Sequence, residues 1–112
     1  MTTLDEFFSG NETSLEIYRN LFAVIDVLGP VEVTVTKSQI AFRRRKAFAW
    51  AWIPGKYLHG KTGPLVLSVA LRRKTSSLRW KQVVEPKTGR FMHHLELYDS
   101  EQIDNEVRAW LQ

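Results

Sequence analysis

The spacing of apolar residues changes character at Pro30. Before it, apolar side chains recur at three- and four-residue intervals over residues 12–28, which predicts a helix with one face on a core. Gly29 followed by Pro30 predicts a firm end to this helix. Thr13 and Glu16 have the spacing of a capping box near its start.

After Pro30 the apolar positions alternate with polar ones, as in strands that have one wet face. The alternation continues in short runs, separated by turns, between residues 31 and 98. The positions predicted to face a helical layer are Val31, Val33, Val35, Ile40, Phe42, Leu65, Leu67, Val69, Leu71, Leu95 and Leu97. A last helix over about residues 100–111, capped by Asp99 or Ser100, completes the pattern.

This order of elements predicts an α+β fold in a single domain, residues 1–112. Helices over about residues 3–8 and 12–28 precede an antiparallel sheet of about five or six strands. The N- and C-terminal helices are expected to pack on one face of that sheet. The other face must then be wet, lined with binding residues, or paired with a partner.

The sequence of residues 47–53 is compatible with two orientations of this strand relative to the helices. Alanines and Ile53 alternate there with Phe48, Trp50 and Trp52. In one arrangement the alanines let a helix approach closely, and the aromatic residues lie on the uncovered face. In the other, the tryptophans face the helices. The first would place the aromatics beside Thr34, Ser68, His94, Glu96 and Tyr98, a mixture typical of a binding surface.

Charge changes this picture, because the net charge of +4 is unevenly distributed. Residues 1–36 carry six acids and one base, net −5; residues 37–90 carry fourteen bases and one acid, net +13; residues 91–112 carry five acids and one base, net −4. Either the acidic helices neutralise a basic sheet within the fold, or part of the basic block faces outward and attracts an anion.

Several function classes are disfavoured by what the chain lacks. There is no cysteine, which excludes disulfides, thiolate metal sites and cysteine nucleophiles. No apolar stretch approaches the roughly 20 residues that cross a bilayer, and the first residues do not resemble an export signal, so a cytoplasmic domain is expected. Glycine-rich nucleotide loops are also missing.

The histidines give little support for a metal site. His93 and His94 are adjacent on a predicted strand, so their side chains lie on opposite faces and do not chelate one ion. His59 lies in a predicted loop. We expect one of the adjacent pair under a helix with its nitrogens satisfied, and the other as a hydrogen-bonding group on the uncovered face. No metal or other cofactor is expected.

A series of short motifs carries a family resemblance: Leu28-Gly29-Pro30-Val31-x-Val33, Thr36-Lys37-x-x-Ile40-x-Phe42, Phe48-Ala49, His93-His94 and Glu106-Val107-x-x-Trp110-Leu111. In this order and spacing the chain resembles a bacterial family of domains of unknown function, numbered 5655, from about Phe7 to Leu111. Some members carry a cysteine-containing, zinc-ribbon-like segment ahead of this domain, and its metal is not carried over to a chain without cysteine. The resemblance implies no known activity. It marks Thr36-Lys37 and His93-His94 as motif positions.

The candidate ligand-binding residues follow from charge, aromaticity and strand position. They are Lys37, Arg43, Arg45, Trp50, Trp52, His94 and Glu96. The favoured hypothesis is a small binding domain for an anionic ligand, either nucleic acid or a nucleotide-like molecule, in which Lys37 and the run Arg43–Lys46 hold phosphate while the tryptophans stack. The alternatives are a protein-interaction or self-association module, with a protein partner or a second copy, and a small enzyme that uses His94 and Glu96 as an acid–base pair. No membrane partner is expected.

Overall fold

The computed structural model describes residues 2–56 and 61–112, and its N-terminal part is helical. Helix α1, Leu4–Phe7, begins with a capping box in which the Thr3 hydroxyl accepts the Glu6 N–H. Helix α2 spans Glu12–Leu28 and begins after Asn11, so the capping box predicted for Thr13 and Glu16 was wrong. Gly29 ends α2 with a φ of 152°, a conformation that favours glycine.

Six antiparallel strands follow, which confirms the predicted α+β class. They pair in the order β1-β2-β3-β4-β6-β5, so that β6 lies between β4 and β5. Their bounds are β1 Glu32–Val35, β2 Ile40–Arg43, β3 Ala47–Trp52, β4 Leu65–Leu71, β5 Gln82–Lys87 and β6 Arg90–Leu97. A short 3₁₀ turn, Pro54–Lys56, follows β3.

The C-terminal segment differs from the single helix expected over residues 100–111. It divides into a 3₁₀ turn, Ser100–Gln102, and helix α3, Asn105–Leu111. Asp99 caps the turn and Asp104 separately caps α3, so two acidic residues each begin their own element. Within the described residues, no helix is long and apolar enough to cross a membrane.

The helices cover one face of the sheet, as the alternation of apolar residues predicts. Every strand residue predicted to face the helices is buried or packs partly buried against the core. Ala49 and Ala51 of β3 are fully buried on this side, in the same core cluster as Ile17, Leu21 and Ile25 of α2. Consequently Trp50 and Trp52 lie on the opposite face, which we call the open face.

Phe48 does not accompany the two tryptophans, so its expected place on the open face was wrong. Phe42 pairs with Ala49 while Arg43 pairs with Ala47, which leaves Phe48 as the extra residue of a β-bulge. A bulge breaks the regular alternation and redirects a side chain. Phe48 accordingly packs against the core on the helix side.

The connection between β4 and β5 is attached to the C-terminal segment by an ion cluster. The Arg79 guanidinium lies 2.9 Å from Asp104 and 3.2 Å from Glu106, and it donates to the Gln102 carbonyl. The rings of Trp80 and Trp110 pack at 4.0 Å between centroids below it. Here an acidic helix does neutralise part of the basic block, as one interpretation of the charge pattern held.

Arg44, in the turn between β2 and β3, connects the C-terminal ends of α2 and α3. Its guanidinium donates to the carbonyl oxygens of Ile25 near the end of α2, Leu111 at the end of α3, and Pro30. It also lies 4.5 Å above the Phe48 ring centroid. The last carbonyls of a helix have no partner within the helix and carry partial negative charge, so a guanidinium stabilises them. The donors of Arg44 are therefore used inside the fold.

We expect Arg44→Met to lower the free energy of unfolding by about 2–3 kcal/mol, because carbonyl oxygens at two helix ends lose a charged donor. Arg45→Met is the matched control, since Arg45 is exposed and substitutions of that kind change stability by about 0.5 kcal/mol or less. Urea unfolding of the two variants measures the difference. Equal losses for both would show that Arg44 does not hold the helix ends.

Candidate binding site on the open face

Strand register brings distant residues into one row across the open face. Trp50 of β3 lies opposite Ser68 of β4, and Ser68 lies opposite His94 of β6. Around this row is a depression of about 520 Å³, which we call the aromatic depression. Its lining residues are Ser38, Gln39, Trp50, Trp52, Ser68, Met92 and His94. The half-buried aromatic and polar side chains form its floor.

A chain of hydrogen bonds orders this floor. The indole Nε1–H of Trp52 donates to the Ser68 hydroxyl over 3.0 Å, and that hydroxyl lies 2.7 Å from Nδ1 of His94. When the Ser68 hydroxyl donates to Nδ1, the ring proton of neutral His94 is on Nε2; when Nδ1–H donates to Ser68, Nε2 is an acceptor. The ring itself lines the aromatic depression.

Burial keeps His94 neutral. Desolvation, and next the neighbouring His93, lower the pKa of His94 below its ordinary value. Ser68 is only 2% exposed, and its oxygen accepts a hydrogen bond from Trp52. The His94 ring is the group of this pair that can offer a hydrogen bond to a ligand in the aromatic depression.

Glu96 lies on the same face but in a different network. Its carboxylate accepts the Gly63 N–H at 2.7 Å and pairs with Lys81 at 3.1 Å, and the side chain is 13% exposed. Burial alone would raise the pKa of Glu96, but the bonds from Gly63 and Lys81, with a smaller one from Tyr98, outweigh it and lower that pKa. Within the described residues no hydrogen bond joins Glu96 to His94.

The predicted cations lie around the aromatic depression and not within it. Lys37 is in the exposed turn next to Ser38 and Gln39, at one side of the depression. Arg43 is exposed at the end of β2, opposite Glu32 on the same side as the tryptophans. Arg45 borders a groove on the helix side together with Trp110, so the structure does not bring it to the open face.

A second group of cations lies at one end of the sheet. It combines Lys46, which belongs to the predicted phosphate-binding run, with Arg72, Lys87 and Arg90, which sequence reasoning missed. These four residues, which we call the basic end, line a concave site of about 350 Å³ where β3 begins, β4 ends and the β5–β6 hairpin turns. The Arg90 guanidinium lies 5.8 Å from the Trp50 ring centroid and so links the basic end to the aromatic depression. The sequence did contain a signal for Arg90. It precedes His94 by four residues, so the two side chains lie on the same face of β6.

His93 has the buried role that one of the two histidines was expected to have. It is fully buried on the helix side, where Nε2 accepts the Thr75 N–H at 2.9 Å and Nδ1 lies 3.2 Å from the Phe91 carbonyl. His59 lies outside the described residues. In the described part of the chain, no three histidine, aspartate or glutamate side chains are grouped as a metal site.

Comparison with known proteins places the whole domain in a family. A family model described as a domain of unknown function, DUF5655, matches residues 4–112. The chain belongs to the DUF5655 family. The suspected resemblance is thereby confirmed over the described helices and sheet. No curated protein and no solved structure matches the domain.

We expect the stability of the domain to fall as the pH drops below about 6.5, the ordinary pKa of His94. In that range the unfolded chain takes up a proton on His94 that the folded ring resists, so protonation favours unfolding. Above this pH both states are neutral at His94 and its contribution is constant. Urea unfolding between pH 7.5 and 5.5 measures the trend. In His94→Gln this part of the pH dependence should be absent, and an unchanged dependence would contradict the assignment.

Proposed function

We propose that this domain binds a phosphate-bearing ligand with a planar base, a nucleotide unit either free or within a single strand. The observation that carries the proposal is the pair of half-buried tryptophans, Trp50 and Trp52, on a sheet face without helices. Neighbouring aromatic side chains on one surface, with polar groups beside them, are typical of a binding site. A base would stack there, and Nε2 of His94 would form a hydrogen bond with it.

The surrounding charge supports an anionic ligand. The Arg90 guanidinium lies over the Trp50 ring, and its 5.8 Å separation from the ring centroid is near the outer limit of a cation–π contact. Such a weak contact is readily exchanged for a phosphate. The carboxylate of Glu96 forms an ion pair with Lys81, and none of the described residues that line the aromatic depression is acidic.

A protein or second-copy partner is the competing candidate, since exposed tryptophans also dominate protein interfaces. The sheet edges offer less to such a partner. Edge strand β1 has only four residues, and edge strand β5 contains Pro86, which lacks the N–H that strand addition uses. Sedimentation at high protein concentration separates the two functions: a Trp50-dependent dimer would favour self-association.

We expect Trp50→Ala to weaken nucleotide binding by roughly 5- to 150-fold, which corresponds to the roughly 1–3 kcal/mol that one stacked base contributes. Quenching of tryptophan fluorescence by thymidine monophosphate and by short single-stranded DNA and RNA, at low and moderate salt, measures the affinity. Trp110→Phe is the control, because Trp110 packs against the helix-side core. Binding that is unchanged in Trp50→Ala would rule out the stacking function.

A further inference from the structure

The basic end contains more positive charge than the fold itself uses. Among the described residues, none of Lys46, Arg72 and Lys87 has a carboxylate within ion-pair distance. This differs from Arg44 and Arg79, whose donors are spent on helix ends and acidic side chains. Like charges gathered on one surface repel one another, so a cluster of this kind raises the local potential for an anion.

The shape of the basic end also suits an anion. Phe48, Ala70 and Leu71 supply an apolar wall beneath the cations, and low-dielectric walls focus the field of nearby charges. In the part of the chain that the structure describes, its lining contains no acidic residue. Glu85, the acid of β5, accepts the Gly89 N–H at 3.1 Å and is held at the hairpin turn.

Its distance from the tryptophans indicates the length of the ligand. Arg72 and Arg90 lie four residues along the chain from Ser68 and His94, which form one row with Trp50 across the sheet. At the rise of a β-strand this is a separation of about 13 Å between backbone positions. The side chain of Arg90 leans back to Trp50, whereas the other cations line the far site.

We propose that the basic end is a second phosphate-binding site, and that the ligand of the open face is therefore single-stranded nucleic acid several nucleotides long. This inference rests on the proposed function, because it assumes that a base stacks on Trp50. One nucleotide is accommodated by Trp50 and Arg90 alone. A strand carries a phosphate in every unit and extends to the remaining cations, as in other single-strand binding proteins that combine stacking with a basic track.

The test compares wild type with the triple variant Lys46→Gln, Arg72→Gln and Lys87→Gln, which keeps Arg90 and both tryptophans. All three residues are exposed, so the fold should be retained, and thermal unfolding checks this. The control variant removes the same charge elsewhere, with Arg19→Gln, Lys74→Gln and Arg108→Gln. The probes are thymidine monophosphate, oligothymidylates of increasing length, and ATP.

In wild type we expect affinity to rise with oligonucleotide length until the strand reaches the basic end. The triple variant should lose this rise and keep its affinity for the mononucleotide. Its slope of log affinity against log salt for the longer strands should be shallower by about 2, since each cation contributes about 0.7. In the control variant, the dependence of affinity on oligonucleotide length and on salt should stay closer to that of the wild type.

Three outcomes would overturn the inference. If affinity does not depend on oligonucleotide length and the mononucleotide still binds through Trp50, the basic end is not a second phosphate-binding site. The proposed function would then stand. ATP binding as tightly as the longest strand, and weakened equally in the triple variant, would assign the basic end to a polyphosphate. Binding of no probe at low salt would remove both proposals.

Discussion

The alternation of side chains between the two faces of β3 is the constraint on which the rest of this structure depends. A strand can offer only alternate residues to one face, and Ala49 and Ala51 are buried in the core on the helix side. The same backbone then has to present Trp50 and Trp52 to the side without helices, where Ser68 and His94 meet them through the register of β4 and β6. The close packing of one layer thus produces the aromatic surface of the other.

The basic block divides into cations that build the fold and cations that do not. Arg44 binds the carbonyl ends of α2 and α3, and Arg79 binds the acidic start of α3. Neither is available to a ligand. The excess positive charge is left at the basic end and at exposed residues such as Arg43. Net charge alone does not distinguish these uses, because a guanidinium is charged whether it serves a helix end or a phosphate.

The sequence predicts those parts of the fold that residues close together in the chain determine. The bounds of α2 follow from apolar spacing and from Gly29-Pro30, and strand parity predicts the core face. It was insufficient where neighbours come from distant parts of the chain. The bulge that turns Phe48 toward the helices depends on the pairing of β2 with β3. Which arginine of the run 43–45 reaches the helix ends depends on the turn geometry. The basic end combines residues from β3, β4 and the β5–β6 hairpin, and no spacing in the sequence relates them.

The strand order has a consequence for how the chain acquires its structure. The partner of β4 on one side is β6, which is synthesised after β5 although β5 lies farther out in the sheet. Residues 65–69 of β4 are buried in the finished domain, yet one edge of this apolar strand has no partner until β6 emerges. An unpaired apolar edge associates with other chains. The strand order therefore leaves this edge of β4 open to association during the interval between the synthesis of β4 and that of β6.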